Sequence, residues 1–214
     1  MIVFEKPGAI NTEATLKLAV QTAQERGMDL VVATSKGNTA CRAAELCKEM
    51  GFERQLVAVT CAYGHRGPNE NGVSEETRIL LQDQGVKVVT AAHALSGAER
   101  GISKVFGGVY PVEIMAATLR MFGQGTKVCV EVALMAADNG SIAFKKPVVV
   151  VGGTAGGADT ACIILTEDSP LDPEAKAKAE AQGVAILRSG ENAYHLAVAL
   201  GKLLDHSDSS PSDP

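Results

Sequence analysis

The sequence predicts a three-layer α/β fold built on a mostly parallel sheet. Three observations carry this. Short apolar runs of strand length recur at Asp29–Thr34, Leu56–Thr60, Val86–Thr90 and Pro147–Val151. Segments with apolar residues at helical spacing stand between the early runs and close on glycine. The composition, 46% hydrophobic and 21% charged over 214 residues, is that of a globular chain able to bury a core.

The first helix is expected over residues 11–26. Asn11 or Thr12 can cap it, Glu13 suits the first turn, Leu16, Val20 and Ala23 share a face, and Gly27 ends it. Asp29–Thr34 follows as a strand apolar on both faces, which suits a sheet covered on both sides. A second helix runs from Thr39 to Met50 and stops at Gly51. Leu56–Thr60 is the next strand, Ser74 opens a helix to Gln84, and Val86–Thr90 is the third strand. Strands and helices alternating at this spacing imply right-handed crossovers and parallel strands.

Pro111 fits the first turn of a helix through Met121, with Gly123 as its stop. Lys127–Ala137 carries two signals, because Val128, Val130 and Val132 alternate like a strand. Its length and its alanine-rich second half favour a buried helix. Pro147–Val151 is a central strand and Thr160–Leu165 another, with only Gly152–Asp159 between them. A parallel crossover needs about a dozen residues, so these two strands should be antiparallel. A helix from Asp172, a strand at Gly183–Leu187 and an amphipathic helix from Glu191 to Leu204 complete one domain over residues 1–204. Residues 205–214, rich in Asp, Ser and Pro, are expected to be a disordered tail.

A net charge of −5 argues against a duplex-binding role, which relies on clustered Lys and Arg. The five cysteines show no CxxC spacing and read as reduced, buried thiols of a cytoplasmic protein. No run of about 18 apolar residues and no basic-then-apolar leader appears, so no membrane partner is expected.

In an open parallel sheet the loops after the strand ends gather on one edge, where ligands bind. Thr34, Ser35, Lys36, Gly37, Asn38 and Thr39 run from a strand into a helix. Their hydroxyls, lysine and free backbone amides make an anion site, and an ordinary turn with a Thr cap is the alternative. The long loop with Tyr63, Gly64, His65 and Arg66 could stack on or bond a planar ligand, or could be a solvated surface loop. His93, leaving a strand ahead of Leu95 and Ser96, is either a ligand donor or a satisfied structural histidine. Without a second ligand at metal spacing, zinc is not expected. Gly153, Thr154, Gly156, Asp159 and Thr160 lie in a glycine-dense connection that shapes a sharp turn or wraps an anion. Glu131 lies in an apolar stretch, so its carboxylate must be ion-paired or serve a ligand. No catalytic residue or reaction is named by any of this.

The run from Asn11 to Thr60, with Leu30–Thr39 between two helices, resembles the C-terminal domain of pyruvate kinases. There a comparable loop binds the phosphate of a sugar bisphosphate activator. The stretch from Val148 to Ile164 is similar to that domain's strand, glycine-rich loop and strand. The whole chain looks like a stand-alone prokaryotic family of this kind, some members of which have been found with FMN. The resemblance carries Thr34–Thr39, the Tyr63–Gly64 loop, His93–Ser96, Glu131 and Gly152–Thr160 over as site segments.

It implies an FMN site with the phosphate on Ser35–Thr39, the ring near Tyr63, His93 and Leu95, and Glu131 with the 152–160 loop closing the pocket. The kinase's catalytic barrel has no counterpart in these residues, so pyruvate kinase activity is not expected. A sensory module for a sugar phosphate or nucleotide, and an enzyme on a small phosphorylated metabolite using His93 or His65, are the alternatives. The apolar middle segment is a candidate face for a homo-oligomer.

Overall fold

The computed structural model describes residues 4–165 except Arg66 and Ala155, together with Pro173 and Ala177. The chain divides into two compact units, Met1–Ile164 and Leu165–Pro214, and the first is described below. The helix expected from Asp172, the strand at Gly183–Leu187, the closing helix and the tail lie outside the continuously described residues.

A 3-10 turn at Ala9–Asn11 leads into α1 (Thr12–Glu25), followed by β1 (Asp29–Thr34), α2 (Asn38–Glu49), β2 (Leu56–Thr60), α3 (Glu75–Asp83) and β3 (Lys87–Thr90). Then come α4 (Ala98–Phe106), α5 (Pro111–Arg120), α6 (Gln124–Asp138), β4 (Val148–Gly152) and β5 (Thr160–Ile164). Among the described residues the expected elements are present within a residue or two, except that Lys127–Ala137 extends to a 15-residue helix and α4 is additional. The signal for α4 is weak because Gly101 interrupts it and glycines flank it; none of its residues is buried.

The strand order is β3-β2-β1-β4-β5. The first four strands are parallel and β5 runs antiparallel to β4, as the eight-residue connection required. Because β2 and β3 lie on one side of β1 and β4 on the other, the chain reverses its direction of growth between β1 and β4. A crevice opens at such a switch point, outside the carboxyl ends of the strands.

Register places three threonines in a row at that edge: Thr34 pairs with Thr60, and Thr60 with Thr90.

Two cores clasp the sheet. On one face Leu30, Val32, Leu56, Ala58, Val149 and Val151 pack against Leu16, Val20, Ala43, Leu46 and Leu81 from α1, α2 and α3. On the other, Val31, Val57, Val59, Val89 and Val150 pack against Cys129, Val132, Met135 and Ala136 of α6. Each fully buried Val or Leu contributes about 1.5–3 kcal/mol of transfer free energy. The strands are apolar on both faces because helices cover both.

Local chemistry sets the helix starts. The Ser74 hydroxyl accepts the Thr77 amide at 3.3 Å and caps α3. At α2 the capping position is Gly37 rather than a threonine; its φ of 96° is left-handed, and a Cβ there would come within 2.6 Å of the Thr77 methyl. The Gly37 amide donates to Thr34 Oγ1 at 3.0 Å, which folds the turn back onto the end of β1. Arg42 on α2 bridges to Glu13 on α1 at 2.8 Å, and with Lys17 it holds the exposed Glu13 carboxyl down at about 2.

Candidate functional site

A recess of about 280 Å³ opens at the carboxyl ends of β1 and β2 and beside the loop after β4. Ala33, Thr34, Ser35 and Thr39 form one wall, Val59, Thr60 and Cys61 the next, and Gly153, Gly156 and Gly157 the opposite side. α6 supplies the floor through Lys127, Val128, Glu131, Val132 and Met135. His65, His93, Ser96, Arg100, Arg120 and Gln124 complete it.

The threonine row is tied into the scaffold. Thr60 Oγ1 and Thr90 Oγ1 share a hydrogen bond of 2.7 Å, the Arg78 guanidinium donates to Thr90 Oγ1 at 2.9 Å, and Asn71 Nδ2 donates to the Cys61 carbonyl at 2.8 Å. This locks the start of the long loop after β2.

At the floor, Lys127 and Glu131 lie one turn apart on α6 and form an ion pair, with 4% and 6% of their surface exposed. The other carboxylate oxygen accepts the Leu95 amide at 3.0 Å and the Ser96 hydroxyl at 3.3 Å. The sequence required a partner for Glu131; the structure supplies one cation and two neutral donors. Those bonds pin the loop after β3 to α6.

His93 is half-buried, and its Nε2 accepts the Ala62 amide at 3.3 Å. Its ring stands 5.3 Å from that of His65, tilted by 47°. Burial pushes the His93 pKa below its ordinary value; Glu131 opposes the shift, while His65, Lys127 and Arg100 reinforce it. His93 therefore presents a neutral imidazole to the recess. Arg100, in the first turn of α4, and Arg120, the last residue of α5, reach the same recess, and no carboxylate among the described residues pairs with either.

Of the residues singled out from sequence, Thr34, Ser35, Thr39, His65, His93, Ser96, Glu131, Gly153 and Gly156 come together here. Others stand elsewhere. Lys36 and Asn38 do not line the recess, and Gly37 serves the turn. Tyr63 points to solvent with the Arg78 guanidinium 5.6 Å over its ring, and the Gly64 amide bonds Glu70. Leu95 acts through its backbone amide.

Asp159 is a structural hub. Its carboxylate accepts the Gly8 amide at 2.8 Å, the Thr154 hydroxyl at 2.7 Å and the Thr160 hydroxyl at 2.9 Å. It fastens the segment before α1 to the glycine-rich loop. Within that loop a Cβ on Gly153 would lie 2.1 Å from the Gly157 carbonyl, so glycine here serves close backbone packing.

Sequence reasoning missed Lys127, Arg100 and Arg120 as recess residues. For Lys127 a signal existed, since a lysine four residues before a carboxylate on one helix is a pairing pattern. The two arginines carried none, because only the packing of α4 and α5 brings them to the sheet edge. No group of three or more His, Cys, Asp or Glu among the described residues is placed to hold a metal ion. No helix among the described residues is long and apolar enough to cross a membrane.

Fold and recess together define an open-sheet α/β domain whose strand ends, helix start and basic wall meet in one place. The family model of the pyruvate kinase alpha/beta domain matches residues 13–164, which span every helix and strand described here apart from the 3-10 turn and the first residue of α1. The chain belongs to that family.

Proposed function

We propose that the recess binds a small phosphate-bearing ligand, and that FMN is that ligand. The observation that carries the anion is the convergence of the start of α2 with two guanidiniums that no described carboxylate neutralises. A helix start offers backbone amides and a positive dipole end to an anion. Arginine adds charge-assisted, bidentate bonds. Ser35 and Thr39 give the phosphate its hydroxyl donors, while Arg100 and Arg120 face it from the other wall.

FMN itself rests on the resemblance to flavin-bearing relatives. Support for a flat ring comes from the apolar floor of Val128, Val132 and Met135 beside the His65 and His93 imidazoles. A protein purified with absorption in the flavin bands, or one that quenches added FMN fluorescence in proportion to its concentration, supports this reading. Colourless protein that leaves FMN fluorescence unchanged overturns it.

A second reading is favoured by size. About 280 Å³ lies near the lower limit of roughly 300 Å³ for small-molecule sites, which suits a sugar phosphate sensed without chemistry. Thermal stabilisation by a sugar bisphosphate but not by FMN would select it. Turnover of a small phosphorylated metabolite, lost in His93→Ala with binding retained, would instead make the domain an enzyme. In each case the proposed setting is a cytoplasmic protein, as a homo-oligomer, without nucleic-acid or membrane partners.

A further inference from the structure

Cys129 and Cys162 lie outside the recess but share one packing layer. Cys129 is fully buried on α6, and its thiol reaches the Val150 carbonyl at 3.5 Å and the Thr160 carbonyl at 3.8 Å. Val150 is the cross-strand partner of Cys162 in the β4–β5 register. Side chains directly opposite in an antiparallel pair share a face, so Cys162 points towards α6, and it packs against the cluster that contains Cys129. Gly152 leaves room between the layers: a Cβ there would lie 3.0 Å from Cys129 Sγ.

The two thiols differ in access. Cys162 is half-buried and lines an open groove with Phe4, Pro7, Leu18 and Phe122, whereas Cys129 lies behind it.

We infer that Cys129 and Cys162 form a reversible dithiol–disulfide pair, in which Cys162 reacts first with a peroxide entering through the groove and Cys129 resolves it.

The chemistry balances. The Cys162 thiolate attacks the O–O bond of hydrogen peroxide, forming a sulfenic acid and releasing hydroxide, which takes up the thiol proton to give water. The Cys129 sulfur then attacks the sulfenic sulfur, the S–O bond breaks, and a second water leaves as the S–S bond forms. Two thiols lose two electrons and peroxide gains them. A dithiol reductant reverses the reaction by exchange.

The interaction with Cys162 and burial both push the Cys129 thiol up, which suits a resolving rather than an attacking role. Cys162, the thiol that the groove reaches, is the one that meets peroxide first. The disulfide would tie α6 to β5 at a residue flanked on α6 by Lys127 and Glu131.

The test treats the reduced full-length protein with a slight excess of hydrogen peroxide and reads intact mass, followed by peptide mapping without reduction. The expected result is loss of two hydrogens, a Cys129–Cys162 linked peptide, and recovery of the original mass with dithiothreitol. Cys129→Ser should stop at a sulfenic acid on Cys162 that a dimedone probe captures. Cys162→Ser, a change at a half-buried position checked for folding by circular dichroism, should react at least tenfold more slowly. A linkage through Cys41, Cys47 or Cys61, oxidation of the wild type that stops at sulfenic acid, or equal reactivity of Cys162→Ser overturns the inference.

Discussion

Lys127 and Glu131 pair across one turn of α6 while both are buried, and the same carboxylate holds the backbone of Leu95 and the hydroxyl of Ser96. Taking one partner from a buried pair leaves an uncompensated charge, at a cost of about 3–5 kcal/mol. Lys127→Met and Glu131→Leu should each lower the thermal unfolding midpoint clearly. The double variant should recover part of that loss, short of full recovery because Leu95 and Ser96 keep no acceptor. Midpoints of the single variants equal to wild type would mean the pair is solvated in solution.

Anion recognition separates the residues of one loop. Thr39 lines the recess and Lys36 does not. Charged hydrogen bonds are worth about 1.5–3 kcal/mol each, so Arg100→Ala or Arg120→Ala should weaken phosphate-ligand binding by about tenfold or more. Thr39→Ala should have a smaller effect and Lys36→Ala almost none. Titration calorimetry with FMN reads all four, and a Lys36→Ala loss as large as that of Arg100→Ala would move the site outward along the loop.

His93 links the recess to pH. Its folded pKa lies below the unfolded value near 6.5, so the unfolded chain binds the extra proton more readily. The contribution of neutral His93 is fully present above about pH 6.5 and is lost as pH falls towards the lowered folded value. His93→Gln should flatten the decline of stability between about pH 6.5 and 5 in urea unfolding series. An anion beside the ring would favour the imidazolium, so FMN binding near pH 6 should take up protons, read as a binding enthalpy that varies with buffer ionisation.

Glycine packing in the loop after β4 makes a steric prediction. Gly153→Ala places a Cβ against the Gly157 backbone, and Gly152→Ala places one 2.7 Å from the Gly125 carbonyl. Overpacking of this kind costs about 1–3 kcal/mol. Both variants should unfold at lower denaturant concentration than wild type. Gly156→Ala meets no atom within 4 Å, although its φ of 87° adds backbone strain, and it should be the milder change.

Most of the fold was legible because it is written locally. The runs Leu56–Thr60 and Asp29–Thr34 are apolar at every core position, Ser74 and Pro111 mark helix starts, and the short Gly152–Asp159 connection leaves no room for a crossover. α4 escaped although Ile102, Val105 and Phe106 stand at helical spacing, because Gly101 interrupts a nine-residue helix bounded by Gly97 and Gly107. The site was legible in part. Thr34, Ser35 and Thr39 announce themselves beside a strand end and a helix start, whereas Tyr63 and Asp159 carried suggestive chemistry that the structure uses in surface stacking and in a structural clasp.

What the sequence determined by itself was the alternation of strands and helices, the antiparallel turn after β4, and the need for a partner beside Glu131. Those follow from residue spacing and from the cost of burying an unpaired charge. The tertiary structure alone decided the strand order that opens the crevice between β1 and β4, and which side chains reach it. Arg100, Arg120, Lys127 and His93 come from four different segments between residues 93 and 127, and only the packing of α4 on α5, of α5 on α6 and of α6 on the sheet brings them to one recess. Spacing along a chain records each segment's own period; it carries nothing about which segment turns its charged face towards another.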